Sequence, residues 1–185
     1  MQTVKSLDTQ TVWNIDAVHS AIKFSVRHMV ISKVTGSFGE FSGEITSNGD
    51  DFSNAYIEFK AKINSINTGK PERDIHLKGE DFFDAAKHPE LTFKSTSITK
   101  KTDSEYSVIG DLTLRGITKP ISLTVQHGGI IKDPWGFERA GFVLKGHLNR
   151  FDYNLKWNQL LETGGAIVSD VVDIECDIEI VTKKD

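Results

Sequence analysis

The side chains able to do chemistry in this 185-residue chain are few and scattered: six histidines, one cysteine and a balanced set of charges. The histidines form no His-x-His pair and no His-Glu-x-x-His, so the spacing that would place two imidazoles on one metal ion is missing. No metal or other cofactor is expected. There is no Gly-x-Ser-x-Gly elbow, no phosphate-binding loop and no dinucleotide fingerprint. Catalytic groups can also be assembled from distant residues, so an enzyme stays open as the alternative, with His28, His127 or Arg150 as acid, base or anion clamp. We read the chain as a binding protein rather than an enzyme.

The elements that would position such residues are strands. Apolar and polar residues alternate over 22–27, 41–45, 55–63, 106–112, 121–125, 140–148 and 172–180, the period of a strand with one buried and one wet face. Such strands belong to antiparallel sheets, because buried parallel strands read as continuous apolar runs. Turn signals separate them at 47–50, 115–120 and 133–136. The fold class is therefore all-β, a single antiparallel barrel of about eight strands over residues 11–185, preceded by an N-terminal extension over 1–10. The long segments 55–66 and 137–151 favour a tall barrel with a lumen over a sandwich. One region departs from the rhythm. Pro71 and the acids after it predict a short helix ended by Gly79, with further helical turns over 81–86 and 157–162.

Strand parity then sorts the polar residues. Phe24, Val26, Phe59, Phe93, Leu112, Leu123, Phe142, Leu144 and Ile174 are predicted to form one apolar lining. Extending the same registers places His28, His127 and Arg150 on the inner face at strand ends, where a lumen meets its mouth or floor. Two readings of these three stand. They orient a ligand's polar head, or they hydrogen-bond neighbouring loops, with Arg150 pairing with an acid such as Asp152. Gly110 and Gly146 on inner faces either open room for a ligand or let the sheet bend. His19, three residues after Asp16, reads as part of a hydrogen-bonded turn. His76 and His88 read as surface or packing residues, His147 as outward and Lys119 as an exposed turn residue. Cys176 reads as a buried small hydrophobe.

Composition excludes several function classes. A formal net charge of −4, spread evenly, offers no footprint for nucleic acid or anionic lipid headgroups. No stretch approaches the ~18 apolar residues of a membrane span, so no stable membrane insertion is expected. A lone cysteine forms no intramolecular disulfide. Residues 1–11 hold Lys5 but no apolar run. As written the sequence reads as cytoplasmic; a removed leader would make it periplasmic.

The motifs add a family resemblance. Trp13-Asn14-Ile15-Asp16-Ala17-Val18-His19-Ser20, followed by Ile22, Phe24 and Val26-Arg27-His28, resembles the opening of the YceI-like family. Arg73-Asp74-Ile75-His76-Leu77 with Asp81-Phe82-Phe83-Asp84 and Pro89 resembles its central helical insertion. The run from Gly110-Asp111-Leu112 to Lys119-Pro120 is similar to its strand-and-turn signature, and Gly141-Phe142, Gly146 and Asn149-Arg150-Phe151-Asp152-Tyr153 to its late strand. The resemblance implies a lipocalin-like barrel, often a homodimer, with an elongated apolar lumen. It also implies binding, storage or transport of a long isoprenoid-type lipid, either a polyisoprenoid or an isoprenoid quinone.

Overall fold

The computed structural model describes residues 10–162 and 165–183. Alternation becomes strand almost everywhere it occurs. The strands are β1 (Gln10–Ile15), β2 (Ala21–His28), β3 (Ser32–Phe38), β4 (Phe41–Asn48), β5 (Asp51–Lys62) and the two-residue β6 (Ile66–Asn67). Then follow β7 (Glu90–Lys100), β8 (Glu105–Leu114), β9 (Ile117–Lys132), β10 (Glu138–Asn149) and β11 (Val168–Thr182). Every described pairing is antiparallel, and the ring β1-β4-β5-β7-β8-β9-β10-β11 closes because β1 also pairs with β11, Ile15 opposite Ile180. Closure gives an eight-stranded barrel, a size that leaves an interior able to hold one small ligand.

Two staves are broken. β1 and β2 run in succession along β11, which faces β1 at Ile180–Thr182 and β2 from Asp177 to Val168. β3 and β4 run in succession along them on the other side. At the break β3 leaves β5 and pairs only with β2 and β6, which lets helix α1 (Pro71–Lys78) approach the barrel wall. Pro71 opens the helix with Glu72 and Asp74 in its first turn, and Gly79 ends it, as expected from the residue types.

Three local expectations need correction. Residues 81–86 are turns, held by Phe82, Asp84 and Ala85 amides that reach back to Gly79 and Lys78 carbonyls instead of continuing a helix. Residues 157–162 form no helical turn, Leu160 being bridged to Ala166 and Glu162 lying in a turn; the helical turn lies earlier, in the 3-10 segment Arg150–Tyr153. Lys119 lies in strand β9, because left-handed Arg115 (φ 51°) and Gly116 (φ 73°) complete the reversal and Ile117 already pairs with Leu114. Pro120 is tolerated there because that stretch of β9 pairs only with β8. The extension expected over 1–10 lies outside the described residues, except Gln10, which opens β1. Among the described residues no helix is long and apolar enough to cross a membrane.

The candidate ligand-binding cavity

The inward faces enclose one elongated cavity of about 610 Å³. Phe24, Val26, Phe59, Phe93, Leu112, Leu123, Phe142, Leu144 and Ile174 all line it, so the parity of separate strands does converge on one surface. Ile15, Ile45, Ile57, Val108, Val125 and Cys176 continue that surface. Cys176 is buried, and burial pushes its thiol up. Large rings are seated over glycines. A Cβ on Gly36 would lie 2.4 Å from Phe24 Cζ, and one on Gly110 would lie 2.3 Å from Phe93 Cζ. Gly146 likewise receives Leu123 Cδ2, at 2.6 Å. The inner-face glycines at 110 and 146 thus accommodate neighbouring side chains, which keeps the lumen open without opening a pocket at the glycine itself.

The two ends differ. One is plugged. Trp13, fully buried, donates from Nε1 to Ser47 Oγ (2.8 Å) and packs 5.6 Å from Phe52. Phe52 meets Phe142 edge-on at 5.2 Å, and both rings form the cavity floor. His127, expected on the lining, does not reach it. Its imidazole stacks on Phe142 at 4.8 Å and meets Phe52 at 5.5 Å, supporting the floor from outside the lumen. Parity holds at His127, which pairs with Phe142 in unbroken register with Leu123 and Val125, but the Phe52 and Phe142 rings cover its imidazole on the lumen side, and the register shift follows it at Gly128. Its Nε2 is buried with no hydrogen-bond partner. Burial also holds its pKa below the usual histidine value, keeping the ring neutral at pH 7.

The other end carries the polar groups. His28 lines the cavity there, beside Thr68 and the α1 residues Glu72, Arg73 and His76. Lys23, which also borders the cavity, is tied to Asp177 at 2.7 Å. Arg73 donates to Thr68 Oγ1 and Thr68 O, both at 2.7 Å, which pins the helix start to the barrel. Trp157 lines the rim, 4.9 Å from His76 and 5.3 Å from Phe82. The α1 groups were not among the residues predicted from the sequence. The helix is short and polar, with no fully buried residue, so its periodicity gives no inward face.

Arg150 lines this end but pairs with no carboxylate among the described residues. Its guanidinium donates to four backbone carbonyls, Leu155 (2.5 Å), Trp157 (2.8 Å), Ser169 (2.8 Å) and Val168 (3.2 Å). The expected partner Asp152 is replaced by carbonyls because the 3-10 turn carries the chain back across the guanidinium. With 3% exposure and desolvation drawing its pKa down, Arg150 acts as a clamp on the segment between β10 and β11.

Outside the cavity, Asp16, His19 and Glu179 bring three ligand-type atoms within 4.8 Å of one another. Arg139 occupies that cluster. Nη1 donates to Asp16 Oδ2 and Glu179 Oε1, both at 2.7 Å, and Nε to Asp133 Oδ2 at 2.8 Å. His19 Nδ1 lies 2.9 Å from Asp16 Oδ2, the turn contact expected from their spacing. These bonds hold Asp16 down to about 2, with His19 the largest cause. A guanidinium already bonds to both acids, so the cluster is an ion-paired seam joining the β1–β2 corner to β10 and β11. His28 and Arg150 sit at the polar end and His127 at the plugged end, so the three do not form one catalytic constellation.

Comparison with known proteins agrees with this architecture. The pattern that defines the YceI-like domain matches residues 13–180. A UPF0312 protein of Staphylococcus aureus is 36% identical over 170 residues, covering 91% of this chain and 96% of its own. The YCEI protein of Campylobacter jejuni superposes with a TM-score of 0.69 at 32% identity, over 86% of this chain and 90% of that one. Burkholderia cenocepacia BcnA shares the fold with a TM-score of 0.77 at 21% identity, over 89% of this chain and 98% of its own. A polyisoprenoid binding domain from Saccharophagus degradans shares it with a TM-score of 0.66 at 17% identity, over 94% and 99%.

Proposed function

The chain belongs to the YceI-like family, and from that premise we propose that it binds and carries a long apolar lipid of the polyisoprenoid or isoprenoid-quinone type in the barrel lumen. The observation that carries this reading is a cavity of about 610 Å³ with an almost wholly apolar wall and charged groups gathered at one end. That volume lies within the usual range for ligand sites. The polyisoprenoid binding of the Saccharophagus degradans domain, which has the same fold, is in keeping with it.

Affinity in such a lumen comes from apolar burial, about 0.8 kcal/mol for each buried methylene-sized group. This force has no direction, so the wall selects length and girth more than chemical detail. Orientation falls to the asymmetry of the ends. The plugged end offers rings, while the polar end offers His28, Arg73 and His76, and this asymmetry supports a reading with the headgroup outward and the chain tip against Phe52 and Phe142. Native mass spectrometry of the purified protein, with organic extraction of what it retains, tests the reading. An apolar lipid at about one per chain is expected. The reading falls if the purified protein is empty and also takes up neither a polyprenol nor an isoprenoid quinone offered in detergent.

A further inference from the structure

The rim of the polar end carries an apolar tip that the fold does not use. Residues 29–31 join β2 to β3, and there Val30 and Ile31 are 67% and 87% exposed. Met29 and Val30 both adopt left-handed backbone, φ 51° and 66°. A β-branched residue is strained in that region, where Asn or Gly would sit without cost. Turn chemistry therefore does not explain these residue types.

A second apolar tip lies alongside. Met29 N donates to Ile167 O (2.8 Å), and Ile167 N donates to Gln159 O (2.9 Å). Next to Gln159, Leu160 is 83% exposed. These segments also frame the opening, since His28, Val34, Ile167 and Val168 all line the cavity.

The charge beside the tips opposes that of the whole chain. Arg27 and Lys33 face each other across the β2–β3 ladder, and no acid lies within 27–33. Both are exposed, and neither forms an ion pair among the described residues. Residues 156–162 add Lys156 and Glu162, and the β11 bulge opposite Arg27 adds Asp170, so the rim holds three cations and two acids, while the chain has 22 basic and 26 acidic residues.

We propose that this rim docks on the surface of an anionic phospholipid bilayer. Val30, Ile31 and Leu160 enter the boundary between headgroups and acyl chains, and Arg27 and Lys33 lie at the phosphates with their stems along the apolar tip. The cavity mouth then opens against the bilayer, so an apolar chain passes between lipid and lumen without crossing water. The proposal adds a partner to the carrier reading, and vesicle binding is measured independently of cargo.

Co-sedimentation of the purified full chain with vesicles tests it, using phosphatidylcholine alone or with one-third phosphatidylglycerol, at low and high salt. Binding to the anionic vesicles is expected, weakening as salt rises. The double variant Val30→Asn, Ile31→Asn removes the apolar tip while easing the left-handed backbone, so circular dichroism should remain that of a folded barrel. Its partitioning should fall at least tenfold, with retained lipid unchanged. Arg27→Gln and Lys33→Gln should each weaken binding to anionic vesicles about fivefold and leave neutral ones unaffected. Failure of the wild-type chain to bind anionic vesicles overturns the proposal, as does equal binding by the folded Asn variant. A dimer that the Asn variant dissolves, with no vesicle binding by the wild type, would assign the tip to a second copy of the chain instead. In both cases retained lipid in the same samples leaves the carrier reading standing.

Discussion

Replacing Leu144 with aspartate puts a carboxyl halfway along the lumen wall, between the uncharged cross-strand neighbours Cys176 and Val125. In the unloaded protein, solvent entering by the polar end can hydrate it. Cargo removes that solvent. At pH 7 the acid must then ionise in an apolar wall or keep its proton about three units above its ordinary pKa of roughly 3.9. Protonation is the cheaper route and, at about 1.36 kcal/mol per unit, costs about 4 kcal/mol. That cost alone weakens lipid binding about a thousandfold. Loss of the leucine contacts adds about 2 kcal/mol at either pH. Near pH 4 the protonation cost falls well below about 1 kcal/mol, so the variant should recover much of its occupancy on acidification. Leu144→Asn has nothing to titrate and should bind weakly with no pH dependence. The assay is the lipid-to-protein ratio after equilibration with excess polyprenol at pH 7 and pH 4, with circular dichroism confirming folded samples. A folded Leu144→Asp protein with wild-type occupancy at both pH values would refute the lumen as the binding site. Leu144 is a cleaner position than Phe142, where a new carboxylate would meet the unpartnered Nε2 of His127.

The ion-paired seam predicts an acid-sensitive term in stability. Because the folded pKa of Asp16 is depressed to about 2, its contribution is present above about pH 4 and is lost as pH falls towards 2. Asp16→Asn should therefore cost about 1 kcal/mol in urea unfolding at pH 7, with the difference from wild type shrinking towards pH 2.5; a gap independent of pH would contradict the assignment. Cys176 should react slowly with a water-soluble thiol reagent in the native protein and rapidly in denaturant, since its thiol is buried and its pKa raised. Fast native labelling would show that the reagent itself, and not water alone, reaches that depth.

The lining was legible in the amino-acid sequence because the pleat makes side-chain direction a local property. Phe24, Phe93 and Ile174 could be assigned to one surface without knowing how their strands pair. Helix α1 and its end at Gly79 were legible for the same reason, being dictated by proline, acids and glycine within one short segment. The ends of the barrel were not. His28 and His127 continue equivalent inner registers, yet one reaches the cavity and the other stands behind its floor. That difference depends on Phe52 and Phe142, whose rings cover His127, and on Trp13, which packs on Phe52 and bonds to Ser47, 34 residues away. Arg150 shows the same limit. Its nearby acid in sequence was the natural partner, but the chain returns four carbonyls from residues 155–169, and four converging dipoles satisfy a guanidinium without a carboxylate. Alternation decides which way each side chain points. Only the closed barrel decides which distant segments meet it, because contacts across a closed sheet join residues whose separation in sequence carries no periodic signal.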